Sequence, residues 1–477
     1  MAQGNNPNSL QKRASTSSSK INPKKSSYAE DNADVEADLK VGSIVDLDEA
    51  GLFLQQHGIS HTRLAELMAD ENAVKRLRRK VDWTLMPLLC GTYLLQYVDK
   101  QALSYSAVFD LLSSTGMTSD QYSWMASIFY FAYLVAEWPS SYLAQRFPTG
   151  RVVSIFVIAW GTILVCTAAA QNFAGLAVTR FLLGTFESVI TPAFMLIVSQ
   201  WFTRDEQPAR AGLFYCFNGF GSMFGGILFF GVGQASGWDV WRIIYVLCGG
   251  LTICWGILLF FFLPDSILTA KRYTVEERAI LIARSARNRT GVFSRTIKAN
   301  QIKEVFTDSQ IWLLFFYVLL NECVNGGIAN FSKLIVKGFT NDSLLTTVYG
   351  IPYGACTACA SFIGGLIVAL QMPASNVGGY TKRTTATAFV FLAYCIGNII
   401  GPHAFLGAEA PIYQTGCKLI IGCTAGQVVI AAALRFVLIR RNKLRDAQGD
   451  TLRLGPEEEV GLQDLTDFEN PEFRYSY

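Results

Sequence analysis

The string Arg180-Phe-Leu-Leu-Gly184-Thr-Phe-Glu187 carries the most chemistry in this sequence. Its spacings of four and three put Arg180, Gly184 and Glu187 on one face of a helix. The string sits in an apolar run long enough to cross a bilayer, where charged side chains are costly and face a cavity or a partner. On the functional reading, Arg180 attracts an anionic substrate or tunes a proton site, and Glu187 is its protonatable partner. On the structural reading, the two form an ion pair near the membrane edge.

Other residues invite the same comparison. Glu137, followed by Trp138-Pro139, either carries protons or locks its helix to a neighbour. Asp99-Lys100 closes the apolar part of the first run and reads as a gate pair or as an interfacial charge pair. Asn321, Asn325 and Asn330 surround Gly326-Gly327. Their amides either bind substrate where a glycine-broken helix unwinds or hydrogen-bond neighbouring helices. Tyr349 and Tyr353, four apart near Pro352, line a cavity or pack between helices.

Several apparent motifs carry no chemistry. Gly219-Phe-Gly221-Ser-Met-Phe-Gly225-Gly226 has no preceding strand and no following Lys-Ser/Thr, so it reads as close helix packing rather than a phosphate loop. His57, His61 and His403 do not cluster, and no catalytic triad, metal-ligand spacing or nucleotide loop is present. The expectation is a chain that is not an enzyme, with no catalytic residue, metal or cofactor. The 11 cysteines fall in or beside apolar segments, and Cys356-x-x-Cys359 reads as packing. Asn341-Asp-Ser343 is a glycosylation sequon in a loop expected to face outward.

The elements that must hold these residues follow from the distribution of charge. Of 77 charged residues, 23 lie in 1–80, 14 in 264–308 and 15 in 440–477, leaving 25 in the other 314 residues. A soluble protein cannot cover its surface with so few. The fold class is therefore all-α and polytopic, with the lipid bilayer as solvent. The net charge of +3 gives no sign of a nucleic-acid partner. Ten stretches are long and apolar enough to span. They are Trp83–Val98 (running on toward Val108), Tyr122–Tyr142, Val152–Ala170, Phe173–Phe202, Ala211–Gly233, Trp241–Leu263, Ile311–Asn330, Leu344–Leu370, Thr384–Ile400 and Tyr413–Ile439.

Lys75, Arg76, Arg78, Arg79 and Lys80 precede the first span, and Arg146, Arg151, Arg204 and Arg210 flank the next loops of that side. The 264–308 segment adds nine basic residues, and Lys382, Arg383 and Arg440 to Arg445 continue the pattern. The opposite loops carry Lys100, Lys333 and Lys337 alone. The bias places both termini and the central loop in the cytoplasm. The expected organisation is a cytoplasmic tail with a short basic helix (1–80), six spans (81–263), a cytoplasmic loop (264–308), four spans (309–439) and a cytoplasmic tail (440–477). Within the central loop, Thr274-Val-Glu-Glu277 matches a capping box that starts a helix. The first 60 residues, with Ser15-Thr-Ser-Ser-Ser19, read as disordered.

This plan, with further strings in order, resembles the major facilitator superfamily, and within it the fungal anion:cation symporters related to allantoate permease. The strings include Tyr97-Val-Asp99-Lys100, the Arg180-to-Glu187 stretch with Thr191-Pro192, Trp201-Phe-Thr-Arg204-Asp-Glu206, and Leu263-Pro-Asp-Ser266. Later come Asn376-Val-Gly-Gly-Tyr-Thr-Lys-Arg383 and Gly397-Asn398-Ile-Ile-Gly401-Pro402. The resemblance implies helical bundles around a central cavity, alternating access, and proton-coupled movement of a small organic anion such as a ureide, carboxylate or vitamin. The proton would be the coupling ion, the plasma membrane the location, and a monomer the working unit. Asn398 joins the substrate and proton-coupling candidates on this ground. Export of a secondary metabolite and a non-transporting sensor or remnant are the alternatives.

Two departures from the family stand out. Gln145 replaces the acid usual in the loop after span two. The family has twelve helices, and here about two dozen residues separate Tyr349-Gly-Ile-Pro352 from Asn376. The ninth helix and most of the tenth are missing near residues 355–372, a length of about 60 residues at roughly 20 per crossing plus a loop. A mis-assigned intron, a variant transcript or a degenerate transporter would each leave this pattern.

Overall fold

A computed structural model describes residues 53–54, 56–203, 206–286, 298–367, 376–448, 466–470 and 473–475. The chain divides into units 1–60 and 61–477. The expected disorder of the first 60 residues lies almost wholly outside the described residues.

The helices of the second unit are α1 (His61–Ala69), α2 (Glu71–Val108), α3 (Leu111–Thr115), α4 (Ser119–Arg146), α5 (Thr149–Thr167), α6 (Phe173–Glu187), α7 (Ile190–Trp201) and α8 (Gln207–Val232). They continue as α9 (Val240–Phe262), α10 (Val275–Ala286), α11 (Ala299–Thr307), α12 (Ser309–Thr340), α13 (Ser343–Ile367), α14 (Tyr380–Ile400) and α15 (Gln414–Gln448). No strand occurs among the described residues. All ten expected spans are helical, α6 and α7 together forming the fourth. Seven of them meet length and apolarity criteria for crossing a membrane. Of the other three, α2 and α4 carry charged side chains within the run, among them Asp99, Lys100 and Glu137. Lipid-facing positions are apolar and open, among them Val135, Trp138, Phe261 and Val428.

Local sequence explains the boundaries. Asp70 caps α2 by accepting from the Asn72 and Ala73 amides at 3.0 Å. The helix then runs 38 residues, about 57 Å at 1.5 Å per residue, so it outreaches the bilayer. The fourth span breaks after Glu187 because Pro192 has no amide to bond the Ser188 carbonyl and its ring crowds that group. Thr274 and Glu277 form the expected capping box of α10, with bonds of 2.9 and 3.2 Å.

Two sequence expectations change. α12 is unbroken from Ser309 to Thr340, ten residues past the expected end, so Gly326-Gly327 unwinds nothing. A Cβ on Gly326 would lie 2.9 Å from Asn398 Cα, and the missing side chain serves close approach to α14 instead. Lys100, Lys333 and Lys337 lie inside helices rather than in loops, because α2 and α12 continue past their apolar cores into polar turns packed against neighbouring helices.

At the end bearing the basic loops, ion pairs stay within each half of the chain. Arg210 forks onto Asp82 at 3.0 and 3.1 Å, Arg284 reaches Glu206 at 2.8 Å, and Lys80 of α2 holds Glu277 of α10 at 2.7 Å. In the later half Lys382 meets Glu304, Asp308 and Asp467 at 3.0, 3.2 and 2.7 Å, so residues 466–475 fasten to α14. Among the described residues no ion pair at this end joins 61–286 to 298–475. At the opposite end the halves do meet. Tyr122 Oη donates to the Asn330 carbonyl at 2.9 Å, Ser123 Oγ to that of Pro402 at 3.2 Å, and Ser127 Oγ to that of Ile399 at 2.9 Å. Both serines also donate within α4, to the Ser119 and Ser123 carbonyls at 3.3 and 3.2 Å. Lys337 and Ser343 both donate to the Val108 carbonyl.

Burial alone would push the Glu206 carboxyl up, but Arg284, the Thr203 amide and Arg210 outweigh it and hold the group below its usual value of 4.5. A depressed folded-state value means that this stabilisation is complete above pH 4.5 and is lost as pH falls below it. Arg284→Ala should cost about 1.5–3 kcal/mol at neutral pH, and less in acid. Thermal unfolding of the solubilised chain between pH 7 and pH 4 reads this, and an equal cost across the range would contradict it.

α13 is helical through Ile367, and eight residues separate it from the next described residue, Asn376. Eight residues of helix would span about 12 Å, less than half a bilayer core. A ninth and tenth crossing therefore have no room between α13 and α14.

Candidate functional site

The buried charges converge beside the break after Glu187. On α2, Gln96 and Lys100 are one helical turn apart and both reach Glu187 Oε1, at 3.0 and 3.3 Å. Glu187 is wholly buried, and its Oε2 has no hydrogen-bond partner among the described residues. Asp99 points to the adjacent face, where Thr252 of α9 donates to Oδ2 at 3.1 Å while Oδ1 is unpartnered. Arg180 is buried two turns earlier on the same α6 face, and its Nη2 bonds the Tyr245 hydroxyl at 2.8 Å. It lies within electrostatic range of Asp99 and Glu187 but pairs directly with neither.

These contacts settle three readings. Arg180, Gly184 and Glu187 do share one buried face of α6. The Arg180–Glu187 ion pair does not form, because each takes a partner from another helix. Asp99-Lys100 is neither interfacial nor a mutual pair, since both side chains are held inside the protein, by α9 and by Glu187.

A second acid faces this cluster from the later half. Glu322 of α12 accepts from Asn321 and Asn325 at 3.0 Å and from Asn398 of α14 at 2.8 Å. Asn325 also donates to Asn398 Oδ1 at 3.2 Å. Three of the expected amides thus serve one carboxylate. Lys100 is within electrostatic range of Glu322 as well as bonded to Glu187, and Tyr130 is in range of both acids. Sequence reading missed Glu322, although an acid in the apolar run of α12 is as costly as one at 187. Gln96 gave no signal of its own, since an amide in a long helix is unremarkable until its partner is known.

The remaining candidates lie elsewhere. Glu137 is half-buried on α4 in range of Cys395 of α14, away from the Glu187 contacts. Tyr353 lies over Lys333 Nζ at 5.4 Å, whereas Tyr349 is exposed on α13. Asn341 is exposed and left-handed (φ 52°) in the two-residue turn between α12 and α13. Among the described residues no cluster of three or more His, Cys, Asp or Glu could hold a metal ion.

Buried carboxylates with free oxygens, in a chain of ten apolar helices, suit proton or ion binding coupled to helix movement. Comparison with known proteins agrees in class. The family model described as Major Facilitator Superfamily matches residues 89–433. The chain belongs to the Major Facilitator Superfamily. It is a multi-pass membrane transporter and not an enzyme. An uncharacterized transporter of Schizosaccharomyces pombe is 32% identical, with 85% of this chain and 90% of the relative covered. The allantoate permease of Saccharomyces cerevisiae is 30% identical, over 84% and 86%. A thiamine pathway transporter of the same yeast is 28% identical, over 91% and 95%. In fold, a crystal structure of a variant of the nucleoside transporter NupG superposes with a TM-score of 0.50 at 9% identity, covering 74% of this chain and 99% of that one.

The lengths of these alignments bear on the missing helices of this superfamily member. The 459 positions aligned with the S. pombe transporter take in 85% of the 477 residues here, which leaves about 54 positions present in the relative alone. The same comparison gives about 68 for the allantoate permease, from 469 positions and 84%. These totals, wherever along the alignment the positions fall, are of the length that two crossings and a loop would occupy.

Proposed function

We propose that the chain is a secondary active transporter that moves a small organic anion by proton symport. The observation that carries this is the wholly buried Glu187, with Lys100 and Gln96 on one oxygen and, among the described residues, nothing on the other. An ionised carboxylate is stabilised there by Lys100, whereas a protonated one releases that lysine toward Glu322. Protonation at Glu187 thus redistributes charge between the two halves of the chain, and a redistribution that differs between inward- and outward-open states couples a proton to alternating access. Arg180 supplies the fixed positive charge that draws an anion toward the cluster. With the basic loops in the cytoplasm, the serine and tyrosine bonds close the outer end and the chain faces inward, at the plasma membrane. The allantoate permease and thiamine pathway relatives support a small-molecule substrate, and a ureide carboxylate such as allantoate is the first to try.

Arg180→Ala should abolish uptake of labelled allantoate, and of other carboxylates the parent chain accepts, with membrane abundance unchanged. Parental uptake in that variant would sink the role of Arg180, and efflux without uptake would favour an exporter. A second reading, a non-transporting remnant, is favoured by the 54–68 positions the relatives hold alone. Sequencing the transcript across Ala355–Gly379 decides it. A segment of about 60 residues there, two crossings of about 20 with their loop, removes the support for a remnant.

A further inference from the structure

Lys333 is a second buried cation, remote in character from Arg180 and Lys100. It sits near the far end of α12, 4% exposed, where two aromatic faces flank its ammonium: Tyr105 of α2 at 5.1 Å and Tyr353 of α13 at 5.4 Å. No carboxylate among the described residues pairs with it. Lys100, by contrast, is neutralised by Glu187, and Arg180 lies in range of two acids. A buried ammonium held by ring quadrupoles alone lacks a counter-ion, and burial of an unpaired charge is costly.

The surroundings contain further unmet polar groups. The Tyr105 side chain is wholly buried, and its hydroxyl has no hydrogen-bond partner among the described residues. Gln101 is 6% exposed, and its Oε1 is also unpartnered. Tyr97, Gln101 and Tyr105 recur every four residues, so α2 presents all three along one face. A Cβ built on Gly350 of α13 would overlap the Tyr105 hydroxyl and lie 2.7 Å from Lys333 Nζ. Both polar atoms therefore border one point on the α13 backbone that a glycine keeps open.

We propose that Lys333 and the Tyr105 hydroxyl form the subsite that takes the substrate's carboxylate, with the Tyr105 and Tyr353 rings against its planar part. This rests on the anion-transport reading and adds to it where the anion docks. The carboxylate would supply the counter-ion Lys333 lacks and accept from the Tyr105 hydroxyl. Arg180 would then act at a distance, through its field. The subsite draws on α2 of the first six spans and on α12 and α13 of the last four, so a docked anion ties the two halves together.

The test uses the full chain in lipid nanodiscs and reads the ligand-induced rise in Tm. The probes are three carboxylates (nicotinate, N-acetylglycine and benzoate) and their uncharged amides. At least one carboxylate should raise Tm, and its amide should not. Lys333→Met, which removes a buried charge and keeps the volume, should weaken carboxylate binding about tenfold or more, the loss expected for a charge-assisted hydrogen bond. Gly350→Ala should do the same by displacing the Tyr105 hydroxyl and the Lys333 ammonium that its Cβ would meet, and Tyr105→Phe should weaken it less. Arg180→Ala should retain saturable binding in this assay while losing uptake. Parental carboxylate affinity in Lys333→Met overturns the subsite and leaves anion transport standing. Failure of every carboxylate to bind the parent chain overturns both.

Discussion

Glu187→Gln should convert concentrative uptake into facilitated exchange. The amide preserves shape and can still accept from Gln96, but it cannot take up and release a proton. If Glu187 is the coupling acid, the variant binds substrate and equilibrates it across the membrane, and accumulation against a gradient disappears. One charge moved through 100 mV is worth about 2.3 kcal/mol, so the lost concentrating power is about 50-fold per 100 mV. Counterflow of preloaded substrate should persist near the parental rate, and the pH dependence of uptake should flatten. Lys100→Met separates the roles, since it removes the cation that Glu187 and Glu322 share while leaving both acids titratable. Undiminished, pH-dependent accumulation in Glu187→Gln would move proton coupling to Asp99 or Glu322.

The largest loss of stability is expected at Lys382. Its side chain and those of Asp308 and Asp467 are fully buried, and Nζ lies 3.2 and 2.7 Å from the two acids. Arg441 also meets Asp308 at 2.7 Å, and Tyr475 donates to Asp467 at 2.7 Å. In Lys382→Met, Asp467 keeps two neutral donors, the Tyr475 hydroxyl and the Gly378 amide, and Asp308 one cation where two stood. Removing one partner of a buried ion pair costs about 3–5 kcal/mol, because the other charge stays desolvated. The variant should be depleted in size-exclusion profiles of solubilised protein and should release residues 466–475 to protease. Adding Asp467→Asn should recover part of the loss. A single variant as stable as the parent would mean that water or lipid headgroups already satisfy these acids.

How much of this was legible in the sequence differs by level. The ten helices followed from the sparse charge between 81 and 439, since apolarity over 20 residues needs no tertiary information. The missing helix pair followed from spacing alone. The partners did not follow. Arg180 and Glu187 were recognisable as costly charges, but their bonds run to Tyr245, Gln96 and Lys100 on other helices, whose approach depends on packing. Lys100 and Lys333 were misplaced into loops, because an apolar run marks the lipid-facing length of a helix and says little about a polar end buried by its neighbours. Asn321, Asn325 and Asn398 were visible as amides, and their common purpose became visible only with Glu322 among them.

The serine bonds that close one end of the helices have a kinetic meaning. Ser123 and Ser127 each divide one hydroxyl proton between a carbonyl on their own helix and one on the partner half, and Ser127 Oγ also meets His403 Nε2 at 3.1 Å. When the halves part, neither hydroxyl is stranded, because it swings fully onto the α4 carbonyl already within reach. The carbonyls of Pro402 and Ile399 are left to incoming water at the mouth. The ion pair that also joins the halves at this end, Lys337–Asp110 at 3.6 Å, has its acid open to water and adds little to the barrier. A shared hydroxyl instead gives a seal specific in geometry and shallow in energy, which suits a barrier that must form and dissolve once per turnover.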